Sequence, residues 1–327
     1  MFTLWVLGFL TVLAVSIASG VRQKVMLVKK LDEHSRMRYM VDAGLTQAKA
    51  YIFQQMSQAQ NVYTVNLKEN LHNNPSVFSR ISLGEDHAEV SHAFANDGIS
   101  EERFGIVDEE SKININTASP VVIQRLIEQV LRLKPDDAGL LTKSILDWRQ
   151  WGESQLTGFF SDEYYEHLQY PYKKKDAPYE VLDELLLVKG VTKDMYERLL
   201  LFITVYAEGK ININTAERPV LFALGLDHAL IEKLITARSG KDGVEATPDD
   251  HIFTKTFDVA TEVNVLVKLT PIEVQTIDNL NLQSLITTNS YYFTVDVKAN
   301  LARSSWTNHV RAIYGSRENK ILYWSKK

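Results

Sequence analysis

From Met1 to Val21 no side chain carries a charge, and this run constrains the chain more than any other feature. Leu4, Trp5, Leu7, Phe9, Leu13 and Ile17 help make it apolar on every face, and roughly 20 helical residues cross the ~30 Å core of a bilayer. Charge returns at Arg22, Lys24, Lys29 and Lys30, yet neither Pro nor a Gly pair interrupts the chain from there to Met56, and Val41, Leu45, Ala48 and Ile52 fall on one helical stripe. One helix is therefore predicted over residues 1–58, lipid-facing in front and amphipathic behind, its stripe packing partly on the chain's own sheet and partly on partner helices. A cleaved secretory signal is a competing reading. It needs a basic leading region, a shorter apolar run and a small-x-small site, and only Ala18-Ser19-Gly20 imitates the last. A plain single-span anchor is the other alternative. Because the basic residues lie after the span, the positive-inside tendency alone would leave the bulk of the chain in the cytoplasm.

With 327 residues, 45% of them hydrophobic, the chain can bury two domains beyond such an anchor. The absence of cysteine excludes disulfides, thiolate metal sites and cysteine nucleophiles. Residues 101–280 hold 20 Lys and Arg against 31 Asp and Glu, a net of −11, while the remainder is net +6. An acidic middle opposes nucleic-acid contact there.

Three textures succeed the first helix. Between Asn61 and Val107, short runs such as Val62 to Val65, Ala88 to Val90 and Arg103 to Val107 read as strands, with Asn96-Asp97-Gly98 as a hairpin turn. From Ser119 to about Leu280 the period is helical, starting with a Ser119 cap and Pro120. Further helices are predicted at 136–150, 160–168, 180–187, 192–205, 219–224, 227–238 and 270–279. Lys173, Lys174 and Lys175 read as a solvated loop. Strands return at 291–297, 308–314 and 321–324. Strands, helices, then strands predict an α+β fold in which a helical block is inserted into a sheet whose first and last strands share one layer behind the long helix. The expected divisions are 1–58, then 59–118 with 281–327 as the sheet domain, and 119–280 as the inserted helical domain.

The heptapeptide Lys-Ile-Asn-Ile-Asn-Thr-Ala occurs twice, at 112–118 and 210–216. Ile alternates with Asn as in an extended segment, and Asn-Thr-Ala then turns into a helix by capping its first N–H groups. Each copy thus leads into a helical hairpin, as does the helix ending at Gly190. Asp108-Glu109-Glu110-Ser111 before the first copy, Ser144 to Arg149, Asp162-Glu163-Tyr164-Tyr165, Glu184 to Gly190, the second copy and Ser290 to Phe293 together resemble the minor pseudopilin K family of the type II secretion system. The resemblance runs in order over nearly the whole chain. It implies a long membrane helix on a pilin-like antiparallel sheet carrying a large helical insertion with helix-hairpin-helix-like repeats. It further implies a place at the tip of a periplasmic pseudopilus anchored in the bacterial inner membrane. There the protein starts assembly with minor pseudopilins I and J, then H, above the major pseudopilin, in support of export of folded proteins across the outer membrane. Most pseudopilins carry a Glu near the start of the mature helix, which member K generally lacks; here no acid precedes Asp32. Family precursors open with a basic leader cut by a prepilin peptidase, so a leader upstream would add that enzyme to the partners and restore positive charge on the cytoplasmic side. A type IV pilus tip subunit is the related alternative.

The helical hairpins also resemble those of membrane-anchored helix-hairpin-helix DNA-uptake receptors, the alternative function. Those modules bind phosphate through Gly-x-Gly backbone amides backed by Lys or Arg. Here the hairpins read Leu224-Gly225-Leu226-Asp227 and Val188-Lys189-Gly190-Val191 inside the acidic block, so no nucleic acid is expected. The family resemblance also implies a calcium site in the helical domain, expected at Asp147, Glu153, Asp162 and Glu163, since calcium takes six to eight oxygens. No other cofactor is expected. His34, His72, His87 and His92 read as solvent-facing or turn residues, and Asp108-Glu109-Glu110 as a structural turn feeding the first heptapeptide. No Gly-x-Ser-x-Gly, P-loop or paired-His spacing points to an enzyme.

Overall fold

A computed structural model describes residues 1–58, 71–96, 99–149, 162–243, 247, 249–304 and 306–326. The strand predicted at Val62 to Val65, the Asp97-Gly98 turn and Glu153 lie outside these residues. One unbroken helix runs Phe2–Gln58. Its front is long and apolar enough to cross a membrane and has no residue buried in the protein. From Met37 the same helix turns an apolar face inward, with Met37, Met40, Val41, Leu45, Ala48 and Ile52 all buried. All four residues of the predicted stripe therefore face the chain's own sheet, and none is left over for a partner helix. Gly44 sits in that stripe because a Cβ there would lie 2.6 Å from Cγ1 of Val297, so the helix approaches the sheet as closely as its backbone permits.

The sheet is built from strands on both sides of the helical block. Its leading members are β1 (Ile81–Leu83), β2 (Asp86–Asn96), β3 (Ile99–Phe104) and β4 (Val107–Asp108). Four short strands come next inside the helical block, β5 (Ile113–Asn114), β6 (Ile203–Thr204), β7 (Ile211–Asn212) and β8 (Ile286–Thr287). The sheet then resumes with β9 (Tyr292–Asn300), β10 (Thr307–Gly315) and β11 (Lys320–Lys326). Its order is β1-β2-β9-β10-β11, with β3 also on β2 and β4 also on β9. The pairings are antiparallel, from His87 opposite Asn300 to Val90 opposite Val297, and again at Asp108 opposite Phe293. The chain thus leaves the sheet at Asp108 and returns beside the same strand, so the helical block interrupts a shared layer. Along β9, Phe293, Val295, Val297 and Ala299 join the core under the long helix, while Thr294 and Asp296 point to the opposite face, as period-2 alternation requires. There Arg311 grips Asp296 through two hydrogen bonds, at 2.8 and 2.6 Å.

The run predicted over Arg103 to Val107 is two strands, broken at Gly105. A Cβ at that glycine would come within 2.2 Å of the Leu71 carbonyl oxygen, so the backbone kinks where another segment crosses it.

The helical block has its own core, centred on residues such as Leu126, Ile145, Tyr165, Leu185, Leu234 and Val263. That core takes in Ile113, Ile115 and Ile286, which the expected division assigns to the sheet domain. Helices form at Pro120–Leu131, Pro135–Arg149, Asp162–Glu166, Lys193–Leu199, Arg218–Ala223, His228–Arg238, Val259–Val267 and Pro271–Leu282, with a 3-10 turn at Leu182–Leu187. Ser119 caps the first by accepting from the Val122 amide, as its hydroxyl predicts. The helix expected over 192–205 stops at Leu199, because the β-branched pair Ile203-Thr204 is taken by β6 in pairing with β5. The helix Val259–Val267 has no counterpart among the expected ones.

Candidate functional site

The junction between sheet and helical block is built on three consecutive buried acids at the end of β4. Asp108 caps the 3-10 turn Glu109–Ser111 by accepting from the Glu110 amide at 2.8 Å. Its other oxygen accepts from the hydroxyls of Thr215 (2.5 Å) and Ser290 (2.6 Å) and from the amide nitrogen of Asn212 (3.0 Å). Glu109 accepts from Lys112, Thr294 and Thr204, each at 2.5 Å. Glu110 accepts from the backbone N–H groups of Tyr291 (3.0 Å) and Tyr292 (3.2 Å). The turn expected to feed the first heptapeptide therefore also fastens β9, β6 and the second heptapeptide.

Burial pushes Asp108 above the ordinary carboxylate range, although the hydrogen bonds from Ser290 and Thr215 pull the other way. Glu110 is driven well up by burial and by the Asp108 charge beside it. Burial would raise Glu109 as well, but the Lys112 ammonium and the hydroxyls of Thr204 and Thr294 together outweigh it and hold that group low. This arrangement has the chemistry of a fastening, with its oxygens turned to the chain's own donors.

The two heptapeptides open equivalent clamps. In the first, β5 pairs in parallel with β6, and the Asn114 side chain accepts from the Asn116 amide at 2.8 Å. Asn116 then holds the Tyr179 backbone from both sides, donating to its carbonyl at 2.9 Å and accepting from its N–H at 2.8 Å. Arg149 closes the loop by donating to the carbonyls of Ile115 and Ala118. In the second, β7 pairs in parallel with β8, Asn212 accepts from Asn214 at 3.0 Å, and Asn214 grips Phe253 at 2.9 and 2.8 Å. There Arg238 donates to the carbonyls of Ile213 (3.2 Å) and Ala216 (2.7 Å). Reasoning from the heptapeptides alone misses both arginines and both gripped aromatics. A signal was present in Leu187-Val188-Lys189-Gly190-Val191-Thr192 against Leu266-Val267-Lys268-Leu269-Thr270, and in Phe202-Ile203-Thr204 against Leu285-Ile286-Thr287.

Of the residues expected to bind calcium, Asp147, Asp162 and Glu163 are described. Asp147 and Asp162 converge on the ammonium of Lys174, at 3.0 and 3.6 Å, and Asp176 joins them at 3.4 Å. Glu163 is exposed, and its backbone carbonyl faces Nδ1 of His167 at 2.7 Å. Among the described residues no group of three His, Cys, Asp or Glu is placed to hold a metal ion. The described carboxylates accept from an ammonium: only 7% of the Lys174 side chain is exposed, which corrects the reading of the three lysines as a solvated loop. Lys173 alone of them is exposed, and Lys175 reaches Glu184 at 2.8 Å. His92 also departs from expectation: it is buried, with Nε2 3.0 Å from the His72 carbonyl oxygen.

Comparison with known proteins agrees with this architecture. The family model for type II secretion system protein K matches residues 103–208. A type II secretion system protein K from Pectobacterium carotovorum subsp. carotovorum is 29% identical over 126 residues, which is 37% of this chain and 38% of that relative's length. In the crystal structure of the GspK-GspI-GspJ complex from the enterotoxigenic Escherichia coli type 2 secretion system, one chain shares the fold with a TM-score of 0.63. That match covers 92% of this chain and 99% of the other at 13% identity. The duplicated heptapeptide clamp, the interrupted sheet behind a membrane-length helix and these three matches together make the chain similar to type II secretion system protein K, the family its motifs resemble.

Proposed function

We propose that this chain is a minor pseudopilin at the tip of a type II secretion pseudopilus, where it begins filament assembly and so supports export of folded proteins. The observation that carries the reading is the helical block between Asp108 and Tyr292, hydrogen-bonded through Asp108 to a sheet that rides on a membrane-length helix. In a filament of side-by-side membrane helices each added head must fit over the one beside it, and a block of this size leaves no room above. On this reading the helix lies in the bacterial inner membrane, the remainder is periplasmic, and the partners are minor pseudopilins I and J, then H, above the major pseudopilin. The solved relative was crystallised with GspI and GspJ, which supports that choice. The role is contact and not catalysis.

The test is co-expression of the full chain with its cognate pseudopilins I and J, and then detergent extraction and affinity capture. A stoichiometric ternary complex, and loss of secretion when this chain alone is deleted, are the expected results. Capture without either pseudopilin, or normal secretion in the deletion strain, would refute the proposal.

A further inference from the structure

Asp147 lies at the end of the helix Pro135–Arg149 with 1% of its side chain exposed. A carboxylate so deeply withdrawn from water needs a counter-charge beside it. Lys174 supplies one at 3.0 Å, with Asp162 and Asp176 also within 3.6 Å of the same nitrogen. The lysine is held in place from its own segment, since Tyr172 donates to the Leu187 carbonyl at 2.7 Å and its ring stands 6.2 Å from Trp148 and 5.4 Å from Tyr165. The cluster remains short of donors: Oδ1 of Asp176 is buried without a hydrogen bond, 3.4 Å from the ammonium. Three carboxylates around one ammonium carry more negative than positive charge, and contacts of 3.0 to 3.6 Å suit N–H donors. A calcium ion needs its oxygens at ~2.3–2.6 Å and cannot share the position with an ammonium, because like charges at that separation repel strongly.

We propose that Lys174 is the built-in cation of this cluster, and that its ammonium excludes a divalent ion from Asp147, Asp162 and Asp176. The cluster then keeps its arrangement without calcium, and loss of the Lys174 charge leaves the buried Asp147 carboxylate uncompensated.

The experiment uses the full chain in detergent micelles and reads the thermal midpoint in millimolar calcium chloride against EDTA. The wild type and Lys174→Arg should melt at the same temperature in both solutions. Lys174→Gln should melt several degrees lower in both solutions, and adding Asp147→Asn, which neutralises the buried carboxylate left without its counter-charge, should recover part of that loss. A calcium-dependent rise in the wild type that Asp147→Asn removes would overturn the proposal, as would a Lys174→Gln chain that melts with the wild type. Terbium gives a second measurement independent of how well the glutamine variant folds. The wild type should show no saturable tryptophan-sensitised terbium emission that depends on Asp147, and such emission would equally overturn the proposal.

Discussion

The two heptapeptides are identical in sequence and in their local clamp, yet they hold different things. Asn114 donates its side-chain amide to the Ala207 carbonyl, within the helical block. Asn212, its counterpart, donates to Asp108 and to Ser290, across the junction into the sheet. Thr215 likewise reaches Asp108, whereas Thr117 is exposed and packs beside Gly209, where a Cβ would collide with its hydroxyl and where a φ of +93° also favours glycine. One copy builds the helical block and the other moors it. The lesson is that a local motif sets its own turn, while the neighbour it meets sets its role.

Four experiments probe that difference. The largest effect is expected for Asp108→Ala, which strands the Thr215, Ser290 and Asn212 donors in a buried junction. It should cost about 3–5 kcal/mol in denaturant unfolding of the full chain in detergent. An effect no larger than Asn114→Ala would remove the distinction between mooring and building. Next come Arg149→Met and Arg238→Met. Each leaves carbonyls of its own heptapeptide without a donor, and the two should cost about 2–4 kcal/mol apiece and agree within about 1 kcal/mol; unequal costs would show that the clamps are not equivalent. Asn214→Ala should destabilise by about 1–3 kcal/mol, and Asn116→Ala by less, because Asn214 is buried and Asn116 only half-buried.

The smallest effect concerns pH at the mooring. The Glu110 carboxyl is raised in the folded chain by burial and by Asp108, so the fold binds protons that the unfolded chain has already released. That contribution is complete below the unfolded carboxyl value and is lost as pH rises through the folded one. Glu110→Gln, which mimics the protonated form, should therefore reduce the loss of stability on going from mildly acidic to neutral pH. An unchanged slope in pH-dependent unfolding would mean that Glu110 does not titrate in this range.

Much of this organisation was legible in order. The long helix, its inward stripe at Val41, Leu45, Ala48 and Ile52, and the shared layer came from period and punctuation, which are local properties of the chain. The structural use of Asp108 to Glu110 was also legible, though not its reach. Boundaries failed where a distant segment intervened. Gly105 breaks a strand because Leu71 crosses it, and the helix after Thr192 ends early because Ile203-Thr204 pairs with a strand some ninety residues before it. The lysine loop was misread for a related reason, since three consecutive ammonium groups look solvated until the fold brings Asp147 and Glu184 to two of them.

What the amino-acid sequence determined unaided is whatever depends on neighbours a few residues away: an uncharged length that suits a bilayer, apolar stripes at helical spacing, caps, and a duplicated turn. The tertiary structure alone decided which copy meets Asp108, which arginines close the clamps and which lysine is withdrawn from water. Those outcomes depend on hydrogen bonds and ion pairs between groups from 22 to 182 residues apart, and no local pattern encodes the meeting of partners that only folding makes adjacent.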